Sequence, residues 1–315
     1  MIVLDSTRNV IDRAKHVSID EKAISRWARE TPDRTWTSSD RTLLRELPGD
    51  MSQVANLVLL ISSLNFCFWS DHPIEMRWRG ETYRGFVAML ASLILNAKHD
   101  LRWADPTYWR DVPEKELRQT LSGGGDLLLM DERVRIVRDT GTALLDRFDG
   151  AFVNAIESVN RRAWPLAVLL MTNFDGFRDV SSYQNTAVYF LKRAQICALD
   201  LHCAWAARDF GRLDQLEALT AFADYRIPQA LRHLGLLTLS DSLAARIDAR
   251  EEIERDSDEE IELRAASIQA VDCMSRELSR AGRRAQPWEI DCWLWEISHA
   301  DDVRVQHHRT RTTFY

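Results

Sequence analysis

The stretch TAVYFLKRAQICALDLHCAW, Thr186 to Trp205, decides the class of this chain. Leu191, Ala194, Ala198, Leu201 and Trp205 step by three and four, and Ile196, Leu199 and Cys203 cover the adjoining face. That is the period of an α-helix, and a helix apolar on most sides lies at the centre of a domain. Lys192 and Arg193 stand at its start, where burial demands partners for both cations.

Outward from this helix the same period recurs. Ser257 and Glu260 have capping-box spacing ahead of a stripe formed by Ile261, Ala265, Ile268, Val271, Met274 and Leu278. The acidic run Glu251–Glu262 reads as the solvated approach to that helix. PWEIDCWLWEISH predicts another buried helix with Pro287 in its first turn, and it places Asp291 between Trp288 and Trp295. Strand signal is sparse. IEMRWRGETYRGF alternates at Ile74, Met76 and Trp78, turns near Gly80 and resumes at Tyr83, as one hairpin would. SGGGD, Ser122 to Asp126, lacks the Lys-Ser/Thr of a phosphate-cradling loop and reads as a linker or lid. The expected class is all-α with a small β-hairpin, as one domain over 1–315, residues 1 to about 60 being a helical extension packed on the rest.

Composition narrows the function. The 315 residues are 45% apolar and 28% charged, as in a globular protein. A net charge of −7 excludes the broad basic footprint of a general nucleic-acid binder. Cys67, Cys197, Cys203, Cys273 and Cys292 include no C-x-x-C pair and are odd in number, which suits a reducing cytoplasm. The N-terminus is too charged for a secretory leader, and no apolar run is long enough to span a bilayer. Eleven tryptophans imply a large aromatic core, or walls for a planar ligand.

Four places are candidates for chemistry. In FADYRIPQALRHLGLL, Asp224 stands between Phe222 and Tyr225, just ahead of a helix start near Pro228. It is either a capping or ion-paired acid or an ionised carboxylate in a dry pocket, suited to a developing cation. LNFCFWSD offers Phe66, Phe68 and Trp69 as core plug or stacking wall. Asp291 needs a partner, either a protein arginine or a ligand with two N–H donors side by side. His307, His308, Arg309 and Arg311 form a compact basic cluster, either a solvated tail or a phosphate site. His299, Asp301, Asp302, His307 and His308 match no metal-binding spacing, and no metal or cofactor is expected. His202 and Cys203 are adjacent on a helix, which points them apart and argues against a catalytic pair.

Taken together, LNFCFWSD, RWRGETYRGF, FRDVSSY, YFLKRAQICALDL, FADYRIPQALRHLGLL, DCWLWEISH and HRTRTTFY resemble, in order, the queuosine salvage protein family, the queuosine 5′-phosphate N-glycosidase/hydrolases. Asp71 stands where the family often has Glu, and Glu296 where Asp is common. The resemblance implies a helical fold related to helix-hairpin-helix DNA glycosylases. It implies hydrolysis of the N-glycosidic bond of queuosine 5′-monophosphate, releasing queuine for salvage into tRNA. It assigns Asp224 as the catalytic acid facing an oxocarbenium-like state. Asp291 is then the anchor for the base, Asp71 or Glu296 the partner of the ligand's ammonium, and Phe68, Trp69, Phe222, Tyr225 and Trp295 the surrounding aromatics. Lys192, His308, Arg309 and Arg311 become candidates for the 5′-phosphate. The expected partners are the nucleotide and its queuine product, with no nucleic acid and no membrane. A 7-deazaguanine carrier without chemistry, or a true DNA or RNA glycosylase, are the other classes the residues allow.

Overall fold

The computed structural model describes residues 1–32, 36, 40–121 and 124–315. Fourteen α-helices and three two-stranded antiparallel ribbons occur among them.

The helix Lys192–Ala206 is buried along nearly its whole length, as its apolar circumference requires. It packs on Met51–Ser63, which is buried nearly as fully, and on Ala163–Asn173, which buries Ala163, Leu166, Ala167 and Leu170. The helix Asp258–Arg280 is the second axis. All six residues of its expected stripe are buried. Against it lie Ile2–Ile11, Glu21–Glu30 and Pro287–Ile297. The N-terminal segment is further fastened by strand Val17–Ile19, which pairs with Leu237–Leu239 far along the chain.

Ser257 caps its helix by accepting the Glu260 N–H at 3.3 Å, but the capping box is not reciprocal. Glu260 is 1% exposed and turns instead to the Asp256 N–H and the Tyr315 hydroxyl. The acidic run is accordingly not solvated throughout. Glu262 is fully buried and accepts the N–H groups of Lys15, His16 and Val17 and the hydroxyl of Tyr183. Four donors replace the water that a lone carboxylate would have lost.

The expected hairpin forms from Glu75–Trp78 and Glu81–Arg84, with Met76 opposite Tyr83. Arg79 at φ 55° and Gly80 at φ 84° make the two-residue turn whose twist suits a hairpin. A second hairpin, Val180–Tyr183 with Thr186–Tyr189, turns on Gln184 and Asn185, both at positive φ. Its strands, four residues each, are too short to stand out by periodicity.

Ser122 and Gly123 of SGGGD lie outside the described residues. The remainder is docked: the Asp126 N–H donates to the His72 carbonyl at 2.8 Å. Gly125 approaches so closely that a Cβ would sit 2.5 Å from the Pro73 carbonyl oxygen, so only glycine fits there. Among the described residues no helix is long and apolar enough to cross a membrane.

Candidate active site

A cavity of about 970 Å³ opens where the start of Lys192–Ala206, the helix Arg226–His233, the helix Pro287–Ile297 and the hairpin at Tyr83 meet. Phe68, Lys192, Phe222, Asp224, Tyr225, Asp291 and Trp295 all line it. Residues more than two hundred positions apart thus share one chamber.

Asp224 is 8% exposed, and its Oδ1 accepts the N–H of Arg226 at 2.7 Å and of Ile227 at 3.2 Å. The helix begins at Arg226, which puts Pro228 third rather than first. Proline is harmless there, because the first four N–H groups of a helix have no partner within it. One carboxylate oxygen therefore caps the helix. The capping and the working-acid readings of Asp224 are compatible, since fixing Oδ1 orients Oδ2.

Asp291 is 5% exposed and accepts the Phe222 N–H at 2.7 Å. Burial, then the charge of Asp224, pushes its carboxyl up to about 7, against the opposing pull of the Phe222 N–H, Arg41 and Lys192. Lys192 is 4% exposed, with Nζ 3.3 Å from the Asn65 carbonyl and 3.4 Å from its Oδ1. Burial draws the ammonium down to about 8, less than it otherwise would, because Asp224 and Asp291 favour the cation. These partners answer the demand that a cation at the start of a buried helix raises.

Six expected site residues are elsewhere. Trp69 is core: its Nε1 donates to the Thr310 carbonyl at 3.0 Å. Asp71 is exposed and paired with Arg309 at 2.9 Å. Glu296 follows Trp295 by one helical step, about 100° round the axis, and is not on the cavity wall. His308, Arg309 and Arg311 are not at the wall either. Residues 307–312 run extended, so alternate side chains face opposite ways. His308, Thr310 and Thr312 point into the core, while Arg309 and Arg311 meet Asp71 and Glu252 at the surface. His308 is held neutral, with a pKa pulled down to about 3 by burial, and so brings no charge for a phosphate.

The same alternation delivers His307 to the cavity, apart from the rest of the basic cluster it is grouped with in the sequence, a separation that the sequence reading missed. Its Nδ1 lies 2.8 Å from the His308 carbonyl, so that nitrogen carries the proton and Nε2 keeps a lone pair. Burial and Arg226 hold the ring neutral, down to about 4, and it leans on Tyr225 with centroids 4.8 Å apart. Arg226 and Gln229 were missed too, although both lie in the motif that carries Asp224. Arg226 donates to Gln229 at 3.1 Å, and Gln229 donates to the Val305 carbonyl at 2.8 Å. Arg41 carried no motif. It donates to Asp200 at 2.9 Å and to the Cys292 sulfur at 3.0 Å beside Asp291. Among the described residues no group of three or more His, Cys, Asp or Glu side chains is arranged to hold a metal ion.

Two buried carboxylates, one buried ammonium and an aromatic lining suit a ligand that is planar, rich in N–H donors and anionic at one end. The profile of the queuosine salvage protein family matches residues 47–315. The chain belongs to that family. A queuosine salvage relative from Sphaerobacter thermophilus, named queuosine 5′-phosphate N-glycosylase/hydrolase, is 37% identical over 99% of this chain and 97% of its own. Proteins of the same name from Dictyostelium discoideum and Mus musculus are 31% and 30% identical, each over at least 99% of this chain and 98% of their own. Similarity to these relatives thus extends through the N-terminal 46 residues that the family profile leaves out.

Proposed function

We propose that this member of the queuosine salvage family hydrolyses the N-glycosidic bond of queuosine 5′-phosphate, giving queuine and ribose 5-phosphate. The observation that carries this is the convergence of Asp224, Asp291 and Lys192 on one cavity. Breaking the bond leaves positive charge on the anomeric carbon and ring oxygen. The carboxylate of Asp224 stabilises that charge and orients the water whose oxygen joins the carbon. The bonding electrons go to the nitrogen of the base, which leaves as a 7-deazapurine and gains the proton that the attacking water gives up, relayed through solvent. Its position 7 is carbon and takes no proton, so hydrogen bonds at other edges must stabilise the departing base. Asp291 accepts side-by-side N–H groups there, between Phe222 and Trp295. Lys192 holds the 5′-phosphate, and binding energy at that remote end is used to hold the reacting centre. Arg226 lies in the same wall and adds to the positive potential.

The same reading places the whole chain in one domain, related in scaffold to helix-hairpin-helix glycosylases and working in the cytoplasm. The odd number of cysteines and the lack of a C-x-x-C pair support that compartment. Incubation with queuosine 5′-phosphate tests the proposal. A hydrolase yields queuine, whereas a carrier returns the nucleotide intact.

A further inference from the structure

The charges buried behind the cavity are organised around Arg264, on the helix Asp258–Arg280 and 1% exposed. Nη1 and Nη2 donate side by side to the two oxygens of Asp179, at 2.9 and 2.7 Å. Nε donates to the Ala223 carbonyl at 3.2 Å. The guanidinium lies over the Phe190 ring at 3.9 Å and the Tyr315 ring at 4.4 Å. Each partner is one step from the chemistry. Ala223 immediately precedes Asp224. Asp179 accepts the Lys192 N–H at 3.0 Å through its side chain, and those of Phe190 and Leu191 through its carbonyl. It thereby fixes the start of the helix that carries Lys192. Leu191 enters that helix at φ 55°, a left-handed conformation that a bulky residue keeps only where its surroundings enforce it.

We propose that Arg264 is a positioning residue for the reaction. Its single guanidinium fixes the separation between Asp224 and Lys192, so that a nucleotide held by its phosphate presents its anomeric carbon to the carboxylate. This rests on the roles given above to Asp224 and Lys192. Arginine is needed because a planar fork serves two carboxylate oxygens and a carbonyl together. A lysine is a point charge on a flexible stem and serves them less well.

Arg264→Lys keeps a cation for Asp179 and loses the bond to Ala223. The expected result, with queuosine 5′-phosphate as substrate, is a kcat lower by about tenfold to a hundredfold with KM changed by less than about threefold, since misplacement of a reacting group costs turnover. Glu262→Gln is the control. It disturbs a buried network two residues away on the same helix and lies outside the cavity. It should lower the melting temperature and leave kcat unchanged. A kcat for folded Arg264→Lys within about twofold of wild type overturns the proposal, as does an equal loss in Glu262→Gln, because a lost contact then acts through stability alone. Should Arg264→Lys not fold, Asp179→Asn leaves one oxygen for the Lys192 N–H but sets an amide N–H against the guanidinium, so the two-point bridge to Arg264 is lost and the same kcat criterion applies. A wild-type protein that releases no queuine removes the underlying reading, and the inference with it. A wild type that does release queuine, beside an unimpaired Arg264→Lys, sinks the inference alone.

Discussion

The main-chain N–H of Phe222 donates to Oδ1 of Asp291 at 2.7 Å, across 69 residues of sequence. The loop that presents Asp224 is thus fastened to the second acid of the cavity. The two carboxylates are coupled mechanically as well as by charge.

Asp291→Asn retains an oxygen for the Phe222 N–H, so the loop should stay in place. What is lost is the charge proposed to draw N–H donors of the base. Queuine binding, measured by calorimetry, should weaken by about tenfold to a hundredfold, the usual worth of a charge-assisted hydrogen bond. Unchanged affinity would place the base elsewhere.

The pH profile follows from two groups with opposite requirements. Asp291 becomes an acceptor carboxylate as pH rises through about 7, and Lys192 ceases to be a cation as pH passes about 8. The value of kcat/KM should therefore rise and then fall across a narrow range, since it reports ionisations of the free enzyme. Lys192→Met should remove the alkaline limb and raise KM for the phosphate far more than for the unphosphorylated nucleoside. An alkaline limb that persists in Lys192→Met would assign it to another group.

Acid should unfold the protein partly through its buried histidines. His307 and His308 are held neutral down to about 4 and 3, against an ordinary value of 6.5. The unfolded chain binds protons first, so their contribution is complete above 6.5 and is lost as pH falls toward those lower values. Asp291 works the other way between 3.8 and about 7, because the folded state keeps its proton. Replacing His308 by Gln should narrow the gap in melting temperature between neutral and acid buffer. An unchanged gap would remove His308 from the account.

Trp69→Phe tests the assignment of that indole to the core. It leaves the Thr310 carbonyl without its donor and should cost about 1–3 kcal/mol in chemical denaturation. KM for the nucleotide should not move. A raised KM would return Trp69 to the binding surface.

How much of this was legible depended on periodicity. Leu191, Ala198 and Trp205 announced the central helix, because a buried helix must be apolar all round. Asp224, Asp291 and Lys192 were legible as candidates because each is a charge in an apolar setting. The short hairpin at Gln184–Asn185 and the pairing of Val17–Ile19 with Leu237–Leu239 left no comparable trace. Strands of three or four residues show no clear period, and tertiary packing selects their partners. The HHRTRT run misled because a compact list of basic residues was read as a compact charge. In an extended chain, His307 and His308 face opposite ways, and only the first reaches the cavity. Arg264 was hidden within a clean helical stripe, where nothing local distinguishes a buried arginine from a solvated one.

The most direct test of the central claim is product analysis of Asp224→Asn incubated with queuosine 5′-phosphate. The asparagine oxygen can still accept the N–H groups of Arg226 and Ile227, so the helix start should survive. Chromatography should then show folded protein, intact nucleotide and no queuine. Queuine released at the wild-type rate would contradict the assignment of Asp224 to the chemistry.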